Sequence, residues 1–274
     1  DSVKRWQRTE YFVDKTLEFM ERNRDRAFFV NLWPDDMHTP YVPDAVAQAQ
    51  NSTWSTPRNF KAVLKEYDIQ IGRLLDGMKR LGLDKNIIII FTSDNGPMPY
   101  YEQQRTNGLR SMKCSLYEGG IRMPFIISWP ERIPAGKVDY KSVVCSVDIY
   151  PSLCALTGAK MPENAAFSGE DMSQVFLGKV QERTTDLMWE FGRNDFFYHH
   201  PIVENNSPHL AIRRGDMKLL INSFDDRVEL YNLKKDPYEL YNIAGKYPEL
   251  VESMRERVTQ WWDERMRINA ATKR

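Results

Sequence analysis

The sequence predicts an α/β fold: an open, mostly parallel sheet flanked by helices, followed by a small antiparallel sheet with a terminal helix. Three observations lead there. The apolar runs Ala27–Trp33, Ile87–Thr92 and Pro124–Trp129 are too short for helices, and two of them follow helical patterns, which is the alternation of an open parallel sheet. From about residue 180 the rhythm changes to short strand-like segments separated by polar turns. The chain then closes on one amphipathic pattern, Tyr247–Met266. The expected division is an α/β portion over 1–180 and an α+β subdomain over 181–274.

In chain order, residues 11–24 read as a helix, with Phe12, Leu17, Phe19 and Met20 set among charged residues. Ala27–Trp33, bounded by charge and by Pro34, reads as a buried strand. Residues 34–56 are too rich in Pro, Asp and Thr to be regular, and a loop of that length in a compact domain is usually functional. Phe60, Val63, Leu64, Tyr67, Ile71, Leu74, Leu75 and Met78 keep the spacing of one buried helical face, with Thr56 as N-cap and Pro57 in the first turn. Ile87–Thr92 is apolar on both faces, as a central parallel strand is. Pro124–Trp129 supplies a third strand, and Val147–Leu156 a short helix ending at Gly158. Leu187–Phe191, His209–Arg213, Lys218–Ile221 and Glu229–Leu233 are the expected strands of the C-terminal sheet.

Composition excludes several classes. The 274 residues carry 38 Lys+Arg against 38 Asp+Glu, which argues against nucleic-acid binding through bulk charge and against a polybasic membrane anchor. The longest apolar run, Ile87–Phe91, is far too short to span a bilayer. The 42% hydrophobic content, with 7 Trp, 13 Tyr and 13 Phe, excludes intrinsic disorder. Three unevenly spaced Cys match neither a disulfide framework nor a CxxC zinc site. An opening on Asp1 without Met leads us to expect a processed protein or a piece of a longer one.

Ligands of open parallel sheets bind beyond the carboxyl ends of the strands, and two candidates have that address. Asp94 and Asn95 follow the Ile-rich strand and offer hard oxygen donors suited to Ca²⁺ or Mg²⁺; Asn95-Gly96 is also an ordinary turn pair. His38 lies in the long loop, where the alternative is a solvated surface residue. Lys113 stands in a loop ahead of Glu118-Gly119-Gly120-Ile121-Arg122, itself read as a tight turn. Asp35-Asp36 reads as a solvated turn and His199-His200 as substrate-facing loop or plain surface, since adjacent extended residues point opposite ways. Cys145 and Cys154 read as core thiols, and Cys114 as exposed without a partner base.

The order of these signals carries more than any one of them. AFFVNLWPDDMHTPYVP, IIIIFTSDNGP, LRSMKCSLYEGGIRMPFIISWPERIPAG and SVDIYPSLCALTGAKMP resemble consecutive segments of the type I sulfatases, arylsulfatase-like members of the alkaline phosphatase superfamily. The stretch RRGDMKLLINSFDDRVELYNLKKDPYELYNIAGKYPEL resembles the last antiparallel subdomain of that family. The resemblance implies that Asp94 and Asn95 help to hold a divalent cation, usually Ca²⁺. It implies that His38 contacts the sulfate and acts as an acid for the leaving oxygen, and that Lys113 also contacts the sulfate. Ser111-Met112 and Cys114 replace the glycines that usually flank that lysine.

The family nucleophile, a formylglycine made from C-x-P-x-R or S-x-P-x-R, has no source in this sequence, and the family's paired acidic ligands and G-K-W-H-type segment are also absent. The resemblance therefore implies the C-terminal part of an alkaline-phosphatase-like chain, inert by itself and weak in cation binding. For the parent protein it implies hydrolysis of sulfate esters, by analogy those of a sulfated carbohydrate, in a periplasmic, secreted or lysosomal setting. Two alternatives stand beside it: a phosphoester or phosphonate hydrolase of the same superfamily, and a non-catalytic sulfated-glycan binding protein. The aromatic segment Asn194–His200 reads either as a sugar-stacking surface or as packing between subdomains.

Overall fold

The computed structural model describes residues 3–49, 55–99, 101, 104–164, 166–192, 200, 202–223 and 226–272. The chain divides into two compact units, residues 1–89 with 128–132, and residues 90–127 with 133–274.

The first unit is built on two helices, α1 (Arg8–Asn23) and α3 (Pro57–Arg80), with a short α2 (Ala45–Ala49) between them in sequence. Thr56 caps α3 as its position predicts, accepting the Asn59 N–H at 3.2 Å. The helices meet where α3 has no side chain: a Cβ at Gly77 would collide with Leu17. Arg73 of α3 ion-pairs with Asp14 of α1.

Ala27–Trp33 is not a strand in this structure, contrary to expectation. Its exposure alternates with a two-residue period, Phe28, Val30 and Leu32 half-buried between exposed neighbours, but it has no ladder partner among the described residues. The period is local; the strand is a relation with a second chain segment. The Ile-rich run forms β1 (Ile89–Thr92) and Pro124–Trp129 forms β2 (Phe125–Ser128), paired in a two-stranded sheet. The Ile-rich run was expected to be buried on two faces, yet Phe91 is 37% exposed; Ile126 of β2 is 60% exposed.

The second unit also contains three short helices, α4 (Glu118–Ile121), α5 (Ile149–Thr157) and α6 (Ser173–Phe176). Gly158 ends α5 in the left-handed region, φ 73°, as the sequence implied. The core of the unit is a four-stranded antiparallel meander: β3 (Leu187–Glu190), β4 (Leu210–Arg214), β5 (Met217–Ile221) and β6 (Val228–Asn232). Strand periodicity sorts its two faces. Leu210, Ile212, Leu219, Ile221 and Leu230 pack on Val251, Met254 and Val258 of α7 (Pro248–Thr272). Ala211, Leu220 and Tyr231 turn the other way, toward Leu116 and Tyr117. Register is continuous, with Leu219 opposite both Ile212 and Leu230. No helix among the described residues is long and apolar enough to cross a membrane.

Candidate functional site

Asp94 and Asn95 sit in the turn that leaves β1, where the sequence puts them, Asp94 exposed and Asn95 half-buried. The Asn95 side-chain amide donates to Asp94 Oδ2 at 2.5 Å, and Ser93 Oγ donates to the Asn95 carbonyl at 3.1 Å. These bonds orient the pair. Two residues on, the chain meets the loop that carries Lys113: Gly96 N donates to Gly120 O at 2.8 Å, and Lys113 N to Pro97 O at 2.9 Å. The approach is so close that a Cβ at Gly96 would collide with the Gly119 carbonyl. The structure thus joins the backbone segments bearing Asp94, Asn95 and Lys113.

The Lys113 loop bends through left-handed backbone at Ser111 (φ 61°) and Cys114 (φ 70°). A side chain there is disfavoured, so outside contacts must hold the turn. Ser111 Oγ donates to the Asn205 carbonyl at 2.9 Å, and the Leu116 N–H to Ser207 Oγ at 2.8 Å. Arg110 lies over the Tyr117 ring at 3.7 Å while donating to Tyr231 Oη at 2.9 Å and the Glu239 carbonyl at 3.0 Å. Cys114 is half-buried rather than exposed, and burial pushes its thiol pKa up, so it stays protonated.

His38 belongs to the first unit and is exposed. Its loop is organised by Arg5, which donates to the His38 carbonyl at 2.6 Å, the Pro40 carbonyl at 2.9 Å and Asp35 Oδ2 at 2.8 Å. The His38 Nδ1–H donates to the Thr39 carbonyl at 2.8 Å, which fixes the tautomer and makes Nε2 the basic nitrogen of the neutral ring.

Three readings of the sequence need correction. Asp36 is buried, not solvated, and burial together with neighbouring Asp35 lifts its carboxyl pKa to about 6. His200 is also buried: it accepts the Ile202 N–H on Nδ1 at 3.0 Å, and desolvation lowers its pKa and keeps it neutral. Cys145 is half-buried rather than a core thiol, whereas Cys154 is buried. His199 and the rest of the aromatic segment before His200 lie outside the described residues.

The cation donors fit a hard ion in kind, one carboxylate and one amide oxygen, but a Ca²⁺ shell takes about 6–8 oxygens. Among the described residues no group of three or more His, Cys, Asp or Glu could hold a metal ion. What sequence reasoning missed is the polar cluster around the Lys113 loop, in which Tyr117, Glu118, Lys218, Glu229, Tyr231 and Glu239 are buried and Arg110 half-buried. Its one visible signal was a lysine inside the apolar strand Met217–Ile221.

Comparison with known proteins follows the same lines. A family model described as Sulfatase matches residues 4–159, and one described as N-sulphoglucosamine sulphohydrolase, C-terminal, matches residues 111–264. An N-acetylgalactosamine-6-O-sulfatase from Bacteroides thetaiotaomicron is 30% identical, over 90% of this chain and 49% of its own. Human arylsulfatase A is 28% identical, over 86% of this chain and 48% of its own. A solved structure described under the metabolism of multiple glycosaminoglycans by Bacteroides thetaiotaomicron has a TM-score of 0.75 at 27% identity, covering 94% of this chain and 55% of that one. The chain spans about half the length of the curated relatives it matches.

Proposed function

The chain belongs to the sulfatase family, and from that premise we propose that it supplies sulfate-binding, leaving-group and cation-binding residues to a sulfuric ester hydrolase acting on sulfated carbohydrate. The reaction is R–O–SO₃⁻ plus water giving R–OH, sulfate and a proton. Charge develops on the ester oxygen as the S–O bond breaks, so the site must supply positive potential and a proton there. Lys113 supplies the fixed positive charge against the sulfate oxygens. His38 in its imidazolium form gives the Nε2 proton to the departing alcohol oxygen, because Nδ1–H is already committed to the Thr39 carbonyl at 2.8 Å. Asp94 and Asn95 offer their side-chain oxygens to a divalent cation, most readily Ca²⁺, which when bound adds Lewis-acid stabilisation. The formylglycine expected from the resemblance has no source in this sequence, and the same resemblance supports a periplasmic, secreted or lysosomal setting.

The observation that carries this reading is the pair of backbone hydrogen bonds, 2.8 and 2.9 Å, tying the Asp94–Pro97 turn to the Lys113 loop within a chain of this family. It is tested by sulfate release from N-acetylgalactosamine 6-sulfate and from a generic aryl sulfate by the full-length gene product. Lys113→Ala is expected to slow turnover by about 10²–10³-fold. An unchanged rate would remove Lys113 from the site. The 274-residue chain alone, with no nucleophile motif, is expected to release no sulfate; turnover abolished by Lys113→Ala would overturn that.

A further inference from the structure

We infer that Lys218 and Glu239 are positioning residues, acting through Glu118 to hold the Lys113 loop and the Asp94–Asn95 turn in place. The inference rests on reading those two segments as the sulfate and cation site.

Lys218 lies on β5 with its side chain fully buried, facing away from α7. Its Nζ is 2.9 Å from Glu118 Oε1 and 2.9 Å from Glu239 Oε1, and the two carboxylate side chains are 4% and 0% exposed. Glu239 also accepts the Glu118 backbone N–H on Oε2 at 2.6 Å. Buried charge is a poor way to stabilise a sheet, since well-packed aliphatic residues of similar volume often do as well or better. What the ions add is register. They lock together three segments distant in sequence: β5, the turn after β6, and the start of α4.

Glu239 holds its position at a cost. Its φ of 55° is left-handed, disfavoured for a glutamate. The turn is pinned by Asp236, whose carboxylate accepts the Leu240 N–H at 2.9 Å and the Tyr241 N–H at 2.9 Å. Strain of this kind persists where the surroundings over-determine it, and here they direct the side chain at Glu118.

From Glu118 the constraint passes directly into the candidate site. Gly119 N donates to Arg110 O at 2.8 Å, and Gly120 O accepts from Gly96 N at 2.8 Å. A Cβ at Gly119 would collide with the Ser111 carbonyl, and one at Gly120 with the Ser115 carbonyl. The two glycines are therefore packed between the Lys113 loop and the Asp94–Asn95 turn with no slack, and a displacement of Glu118 moves both.

Lys218→Met takes the shared lysine from both buried carboxylates at once, so the informative variants are Glu118→Ala, which keeps the Lys218–Glu239 ion pair, and Glu239→Ala, which keeps the Lys218–Glu118 pair. The measurement is residue-resolved amide hydrogen exchange on the 274-residue chain. In both variants the amides of Gly96, Lys113, Gly119 and Gly120 are expected to exchange about tenfold or more faster, while β4, β5 and α7 stay within about twofold of wild type. Glu118→Gln, which keeps an acceptor for Lys218, is expected to restore most of the protection. Uniform acceleration across the second unit would reduce the triad to a stabilising contact and overturn the inference, as would unchanged loop exchange. Exchange reports position without turnover, so a sulfate-release rate left unchanged by Lys113→Ala would defeat the functional reading while leaving this result standing.

Discussion

Two apolar stretches of similar composition meet opposite fates. Residues 27–33 leave Phe29 68% and Trp33 81% exposed, whereas Leu210, Ile212, Leu219, Leu220 and Leu230 of the C-terminal sheet are wholly buried. The difference is not hydrophobicity. The strands β4, β5 and β6 follow one another through short connections, pair in register and carry α7 across one face, so the cover of that face lies close in sequence, while Leu116 and Tyr117 cover part of the other. Residues 27–33 have the alternation of a strand without a partner among the described residues. Periodicity announces that a segment is able to pair; only a neighbour turns it into a buried strand.

This contrast breaks most sharply at the buried charges. Lys218→Met is expected to destabilise the second unit by about 3–5 kcal/mol, measured by urea unfolding, because the Glu118 and Glu239 carboxylates lose their counter-ion. A cost below about 1 kcal/mol would mean that water reaches the triad. Leu219→Ala, in the core between the sheet and α7, is expected to cost about 2–4 kcal/mol in the same assay.

Smaller effects belong to the first unit. Asp36 holds its proton up to about pH 6 in the folded chain, against an ordinary value of 3.8. Between those values the folded state binds more protons than the unfolded one, so stability falls as pH rises through that window and levels off above it. Asp36→Asn is expected to stabilise the chain by about 1 kcal/mol at neutral pH, allowing for partial solvent screening, and the gain should vanish below the ordinary carboxylate pKa. Denaturant midpoints at the two ends of the window check it; a gain independent of pH would exclude the titration. Phe29→Ser is expected to change stability by no more than about 0.5 kcal/mol, because the ring is already 68% exposed. A loss comparable with that at Leu219 would show that residues 27–33 are covered in solution.

Much of the candidate site was legible from local chemistry. Asp94 and Asn95 follow a recognisable apolar strand, Lys113 precedes a double glycine, and His38 sits in a loop marked by its prolines and aspartates. Asp36 and His200 were misread because burial of a polar side chain depends on what covers it, and sequence windows do not contain the cover. The supporting ions were hidden for the same reason: Lys218 and Glu118 are 100 residues apart, yet 2.9 Å in space.

By itself, the sequence determined the helices α1, α3, α5 and α7 but not the short α2, α4 and α6, together with the caps at Thr56 and Gly158, the C-terminal strands and the family, since each depends on periodicity or on residues that are neighbours along the chain. The tertiary structure decided which apolar runs became buried strands, which acids lost their solvent, and how a lysine on β5 came to brace a loop a hundred residues away. Those outcomes depend on pairing and desolvation between distant segments, and neither quantity exists until the chain has folded.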